Sequence, residues 1–250
     1  MKALITGASS GIGKEMAYYL AELGYDLILV ARRKDLIKEI ASKVKTKVKV
    51  IPLDLSEFDN IELLWNSIEK EDIDIFINNA GFGLYGKFIE SDLDRELNMI
   101  DLNIKALHYL SKKYIESRLE RNTGYLLNVA SSAGFMAGPK MATYYATKNY
   151  VLRLSQAIYE ELRHDNYNIH VSVLCPGPVE TEFNQVAKCK FGVKGANAKY
   201  VAKYAIDKML KNKLVIIPTI KMKLAILGSR FVPTKLLLKL NYKVQSAKEN

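Results

Sequence analysis

The chain has 250 residues, 49% of them apolar and 26% charged, with a formal net charge of +10 at pH 7. Those fractions are those of an ordinary soluble protein, and the length suits one large α/β domain with a core of its own. No unbroken apolar run reaches the ~18 residues of a membrane span. Two cysteines, Cys175 and Cys189, without metal-ligand spacing exclude a disulfide framework and point to reduced thiols in a cytoplasmic protein.

The elements alternate along the chain. "KALIT" reads as a strand that runs into "TGASSGIG", residues 6 to 13, and the amphipathic "IGKEMAYYLAELG" follows as a helix stopped at Gly24. The opening "MKALITGASSG" meets Gly and Ser too early for a secretory signal. Gly7, Gly11 and Gly13 fall between strand and helix, the setting of a dinucleotide-binding turn. Glycine permits the sharp turn and a close backbone approach to a pyrophosphate, and the helix N-terminus offers unpaired N–H groups to the anion.

"DLILVA" is the second strand. A carboxylate at its end would bind an adenosine ribose 2′-hydroxyl, but here Ala31 is followed by Arg32 and Arg33. A guanidinium binds a 2′-phosphate that a carboxylate would repel, so this end favours NADP(H), with Arg32 the better candidate. The helix "KDLIKEIASKVKT", the strand "VKVIPLDLS", the helix "FDNIELLWNSIEKED" and the strand "DIDIFINNAG" come next. A long helical stretch runs from about Asp92 to Arg121, followed by the strand "GYLLNVASS", a helix holding "YYATK" and the strand "NIHVSVLCPG". A helix near Ala198–Lys211 and the strand "KLVIIP" close the series.

Strands apolar throughout and separated by helices predict a parallel sheet covered on both faces. The fold class is therefore α/β, a doubly wound parallel sheet of Rossmann type, with ligands at the carboxyl ends of the strands. One domain over residues 1–218 and a basic amphipathic segment over 219–250 are expected.

In "YYATK", Tyr144 and Lys148 are four apart and share a helix face, while Tyr145 points elsewhere. A lysine charge ~4 Å from a phenol at an effective dielectric of about 20 is worth roughly 4 kcal/mol. At ~1.36 kcal/mol per unit this can bring a phenol of pKa about 10 down by up to about three units, into the range of proton transfer. His108, His164 and His170 have no carboxylate or cysteine at ligand spacing, so no metal site is expected. Cys175 reads as a packed thiol, and Cys189 falls in a loop that could line a substrate pocket.

Taken in order, "TGASSGIG", Asp54–Leu55, "NNAG" at 78–81, "DLNIKA" at 101–106, "YYATK" and "PGPVET" at 176–181 resemble the short-chain dehydrogenases/reductases from Lys2 to about Pro218. The resemblance implies an NADP(H)-dependent oxidoreductase acting on a small carbonyl or alcohol substrate. It implies Ser131, Tyr144, Lys148 and Asn103 as catalytic residues, with Ser131 polarising the substrate and Asn103 holding a water near the lysine. Thr6, Gly7, Ser9, Ser10, Gly11, Ile12 and Gly13 would cradle the cofactor's phosphates. Asp54 would meet the adenine amino group with help from the Leu55 backbone, and Asn79, Ala80 and Gly81 would line the adenosine ribose. Lys148 would hold the nicotinamide ribose beside Tyr144. Val179 and Thr181 would meet the carboxamide, with Pro176 and Gly177 shaping the loop. Family habit implies a homodimer or homotetramer and no nucleic-acid partner. The rival reading is a nonenzymatic protein that keeps the fold for cofactor sensing or for attachment to a membrane surface.

The charge is unevenly placed. From Lys188 onward there are 15 Lys/Arg against Asp207 and Glu249, which puts +13 at this end and −3 on the preceding 187 residues. "TIKMKLAILGSRFVPTKLLLKLNYKVQSAKEN" reads as two short amphipathic helices divided at "GSRFVP". Three roles compete for it: a subunit-packing arm, a lid over an apolar substrate, and a peripheral membrane contact.

Overall fold

The computed structural model describes residues 1–187 and 195–247. Seven strands form one sheet: β1 (Lys2–Thr6), β2 (Asp26–Val30), β3 (Val48–Ile51), β4 (Ile75–Asn78), β5 (Gly124–Val129), β6 (Ile169–Leu174) and β7 (Val215–Ile216). Every neighbouring pair is parallel, in the order β3-β2-β1-β4-β5-β6-β7. Parallel pairs need crossovers, and the predicted helices supply them.

The strands are mostly apolar on both faces because the sheet feeds two cores. Side chains alternate across a strand, so Ala3 and Ile5 of β1 enter one core while Leu4 enters the other. Leu27 and Leu29 against Ile28 and Val30 do the same in β2, as do Ile75 and Ile77 against Phe76 in β4. The first core takes Met16, Ala17 and Leu20 of α1 (Gly11–Glu22), Ile37 and Ile40 of α2 (Lys34–Lys43), and Val201 and Ala205 of α8 (Ala198–Met209). The second takes Ile61, Leu64 and Trp65 of α3 (Phe58–Ile68), Leu110 and Tyr114 of α5 (Leu107–Arg118), and Leu162 of α6 (Ala142–His164). The doubly wound sheet expected from the sequence is the fold.

Strand order reverses between β1 and β4, which opens a crevice at their carboxyl ends. The helical stretch expected over 92–121 is α4 (Leu93–Ile100) and α5 joined by a π-helical turn, Asp101–Ala106. A short α7 (Phe183–Val186) follows "PGPVET", and α9 (Ile220–Ser229) and α10 (Thr234–Ser246) end the described chain. Among the described residues no helix is long and apolar enough to cross a membrane.

Candidate active site

The glycine turn sits at the end of β1, and its geometry requires glycine. Gly7 and Gly11 have φ of 65° and 55°, in the left-handed region. A Cβ on Gly13 would lie 2.4 Å from Asn79 Nδ2 and 2.5 Å from the Gly7 carbonyl oxygen, so only glycine lets α1 start this close to the turn. Ser10 is the N-cap of α1 but makes no side-chain cap, and no acidic residue occupies the first turn. The helix end is thus left for an anion. This cradle fits a dinucleotide pyrophosphate on its own geometry.

Asn79 ties the turn to β4. Its Nδ2 donates to the carbonyls of Thr6 (3.0 Å) and Gly7 (3.1 Å), and the Thr6 hydroxyl accepts from the Asn79 and Ala80 amides at 3.0 Å each. At the end of β2, Arg33 Nη2 donates to Ser9 Oγ (3.2 Å) and its Nη1 meets the Glu182 carboxylate (2.8 Å). Arg32, more exposed, lies 3.4 Å from Asp54 Oδ2. Burial opposes the ionised Asp54 carboxylate, but the Ser56 amide and hydroxyl and Arg32 outweigh it and hold its pKa below the usual range. Leu55 is buried beside it. Thr181 closes the far side, its methyl 3.0 Å from where a Cβ on Gly11 would sit, and its hydroxyl accepts from the Phe183 amide.

Tyr144 and Lys148 are adjacent on α6 as their spacing predicts, with Lys148 Nζ 5.9 Å from the Tyr144 ring centroid. Lys148 is buried and donates to the Val129 carbonyl (2.9 Å) at the end of β5. Burial pulls its pKa down to about 8, so the ammonium is a weaker fixed charge than the sequence estimate supposed. Ser131 follows β5 and caps a short 3-10 turn (Ser132–Phe135), its hydroxyl accepting from the Ala133 amide (3.1 Å). Ala133 and Tyr144 share an apolar cluster with Leu84, Met99 and Met141, against which Phe82, Tyr85, Tyr145 and Phe183 pack.

Asn103 lies in the π-helical turn and is fully buried. Its Oδ1 accepts from the Phe82 amide (3.1 Å), while its Nδ2 donates to the Phe82 carbonyl (2.9 Å) and to Thr147 Oγ1 (3.1 Å). The side chain is therefore committed to protein groups. π-helical turns inside α-helices recur at functional sites.

Several positioning residues escaped the sequence reading. A buried chain of hydrogen bonds runs from Asn78 Nδ2 to Ser111 Oγ and Asn128 Oδ1, 3.0 Å each, and from Asn128 Nδ2 to Ser155 Oγ, 3.0 Å. Asn78 and Asn128 are register partners of β4 and β5, so the chain locks α5 and α6 onto the sheet below the site. Asn149 donates to the Ala133, Met136 and Tyr145 carbonyls and fixes the Ser131 loop on α6. A polar residue inside an apolar strand, as in "LLNV", is the signal that could have exposed the first of these.

Cys175 is buried and burial pushes its thiol up to about 12, the inert packed group expected. Cys189 lies outside the described residues. His108 pairs with the Tyr150 hydroxyl (2.7 Å), His164 with Asp165 (3.1 Å), and His170 packs on Tyr125. Among the described residues no group of His, Cys, Asp and Glu could hold a metal ion. Pro176 accepts at its carbonyl from the Ser132 amide (2.8 Å), Gly177 lies under Met222 of α9, and Val179 forms a parallel bridge with Ala196.

The family described as short chain dehydrogenase matches residues 1–190. The chain belongs to the short-chain dehydrogenases/reductases. An uncharacterised oxidoreductase of Staphylococcus aureus (strain MRSA252) is 34% identical over 182 residues, 72% of this chain and 78% of the relative. A short-chain dehydrogenase from Sphingobium yanoikuyae, solved in complex with NADPH, superposes with a TM-score of 0.82 at 30% identity over 92% of this chain and 93% of that one. A bulky-bulky ketone specific alcohol dehydrogenase from Comamonas testosteroni superposes with a TM-score of 0.79 at 27% identity over 92% and 91%. The chain is thus an oxidoreductase of the short-chain dehydrogenase/reductase family, and its seven-stranded sheet is the one these enzymes share.

Proposed function

We propose that the protein is an NADP(H)-dependent reductase of a carbonyl compound, with Tyr144 as general acid/base. The observation that carries this reading is the buried Lys148 ammonium beside Tyr144, at the carboxyl end of β5 and close to Gly81. Bound NADPH supplies the hydride. Ser131 Oγ orients the carbonyl oxygen, and the Tyr144 hydroxyl protonates it as negative charge develops. Lys148, anchored by the Val129 carbonyl, holds the nicotinamide ribose and passes a proton to Tyr144. A water held at Asn103 resupplies it.

The preference for NADP(H) rests on Arg32 and Arg33 at the end of β2, with Ser9 hydrogen-bonded to Arg33. The planar guanidinium fork of each arginine matches a 2′-phosphate in geometry. The apolar cluster of Phe82, Leu84, Tyr85 and Phe183 around Tyr144 suits an apolar carbonyl compound. The oligomer implied by family habit is assigned to α5 and α6, where an open groove of about 570 Å³ is lined by Ile104, His108, Tyr109 and Tyr150.

Fluorescence titration of NADPH against NADH on wild type, Arg32→Ala and Arg33→Ala tests the cofactor assignment. The expected result is at least ~tenfold tighter NADPH binding, lost in either variant while NADH binding stays constant, as removal of a charge-assisted hydrogen bond predicts. Equal binding of the two cofactors would move the assignment to NAD(H). A carbonyl panel turned over by wild type and not by Tyr144→Phe, with cofactor affinity intact, separates the enzyme from the nonenzymatic reading.

A further inference from the structure

The last two described helices each dock by one face and turn the other outward. In α9, Ile226 is buried and the Met222 methyl lies 2.6 Å from where a Cβ on Gly177 would sit. At 100° per residue, Ile220, Leu224 and Leu227 share the opposite face. They are 52–74% exposed, with Lys221 on one flank and Lys223 on the other, and Phe231 continues the row at 81%. In α10, Gln245 is buried while Leu236, Leu240 and Val244, four apart, form an outward row 47–61% exposed. Lys235, Lys239 and Lys243 form a second row beside it. From Lys208 to Ala247 the chain carries nine Lys/Arg and no Asp or Glu.

Charge and apolarity together choose the occupant. A second copy meeting this face about a two-fold axis would set lysine rows against lysine rows with no acid to answer them. A nucleic acid would take the lysines but leave the leucine rows in water. An anionic bilayer satisfies both: leucines enter the boundary between headgroups and acyl chains while lysines reach back to the phosphates. We propose that the outward face of α9 and α10 docks on an anionic phospholipid surface. The inward side of the same pair touches the candidate site: Gln245 bonds Tyr145 and, through its carbonyl, Tyr85, and Asn241 bonds the Ala137 carbonyl. Docking thus sets the mouth of the site beside the lipid. The proposal stands independently of the cofactor assignment.

The test is co-sedimentation of the full chain with phosphatidylglycerol/phosphatidylcholine vesicles and with phosphatidylcholine vesicles alone. Pelleting is expected with the anionic vesicles only, weakening as salt is raised. It should fall at least ~tenfold in Lys235→Glu/Lys239→Glu/Lys243→Glu, since each lysine near such a surface adds to the attraction. Leu224→Ser/Leu240→Ser should fall similarly, and because these positions are exposed both variants should melt like wild type. Absence of pelleting on anionic vesicles at low salt overturns the proposal, as does equal pelleting on neutral ones. So does a dimer in sedimentation velocity that Leu224→Ser/Leu240→Ser dissociates, or a complex with duplex DNA tighter than the vesicle complex.

Discussion

Lys148 is a buried amine whose folded pKa has fallen to about 8 because its ammonium has left water. Below about pH 8 both folded and unfolded chains carry this charge, and the folded state bears the whole desolvation penalty. Between about pH 8 and the unfolded value of ~10.4 the folded state releases the proton first, so the penalty fades as pH rises. At ~1.36 kcal/mol per pKa unit the penalty is about 3 kcal/mol, offset in Lys148→Met by about 1 kcal/mol for leaving the Val129 carbonyl without its donor. Lys148→Met is therefore expected to be inactive yet more stable at pH 7, by about 2 kcal/mol in urea unfolding, with the gain gone or reversed at pH 10. A variant less stable at both pH values would mean that the charge is welcome in the folded state. Gly81 gives a second check. A Cβ there would meet Asn103 Oδ1 at 2.8 Å and Lys148 Nζ at 3.4 Å, and Asn103 cannot yield without losing Phe82. Gly81→Ala should lower kcat by roughly 10- to 100-fold through misplacement of the lysine, with a smaller loss of cofactor affinity because Lys148 also holds the nicotinamide ribose, while the glycine cradle persists. Steady-state kinetics beside a titration separates the two. The pairing of Tyr144 with Lys148 was legible because spacing on a helix is local. The Val129 carbonyl that anchors Lys148 comes from β5, a distant segment that spacing cannot reveal.

Elements were legible where the chain alternates apolar runs with glycine, proline and charge, and the seven strands fall inside the runs read from the sequence. The edge strand β7 is only Val215–Ile216, shorter than "KLVIIP", because Pro218 has no N–H to continue a ladder. The π-helical turn at Asp101–Ala106 was not legible, since apolar spacing runs on through it. Its Asn103 pairs with the Phe82 backbone, a tertiary contact absent from any local pattern. The same holds for the Asn78–Ser111–Asn128–Ser155 chain that joins β4 and β5 to α5 and α6. Asn128→Ala would take one of its two acceptors from the buried Asn78 amide, which keeps Ser111, and would remove the bond to Ser155. A loss of about 2–3 kcal/mol in urea unfolding is expected. Because α6 carries Tyr144, kcat should fall more than the affinity for cofactor. Asn128→Ala with unchanged stability would show that the network contributes shape alone.

Across the whole molecule, α10 packs against the pattern its sequence suggests. Hydrophobic periodicity would turn Leu236, Leu240 and Val244 inward, whereas the structure buries Gln245 and half-buries Leu237 and Asn241, the row about 100° further round the helix. The helix is held by directed polar contacts: Gln245 Nε2 to the Tyr145 hydroxyl, the Tyr85 hydroxyl to the Gln245 carbonyl (2.9 Å), and Asn241 Nδ2 to the Ala137 carbonyl (2.9 Å). Among the described residues, Leu238 lines a groove with Met136, Pro139 and Tyr145, and Lys140 sits over the Tyr242 ring at 5.2 Å. A helix that enters neither sheet core opens locally at lower cost than the sheet beneath it. Gln245→Ala removes the side-chain tie and leaves the half-buried Tyr145 hydroxyl without that partner, a loss of about 1–1.5 kcal/mol at this helix. When opening is fast relative to cleavage, proteolysis follows the open population, so trypsin should cut after Lys235, Lys239 or Lys243 roughly 5- to 12-fold faster. Global urea unfolding should move little, because α10 contributes to neither sheet core. Cleavage at the wild-type rate would mean that the apolar groove, not Gln245, holds α10. A matching drop in global stability would mean that α10 unfolds only together with the sheet.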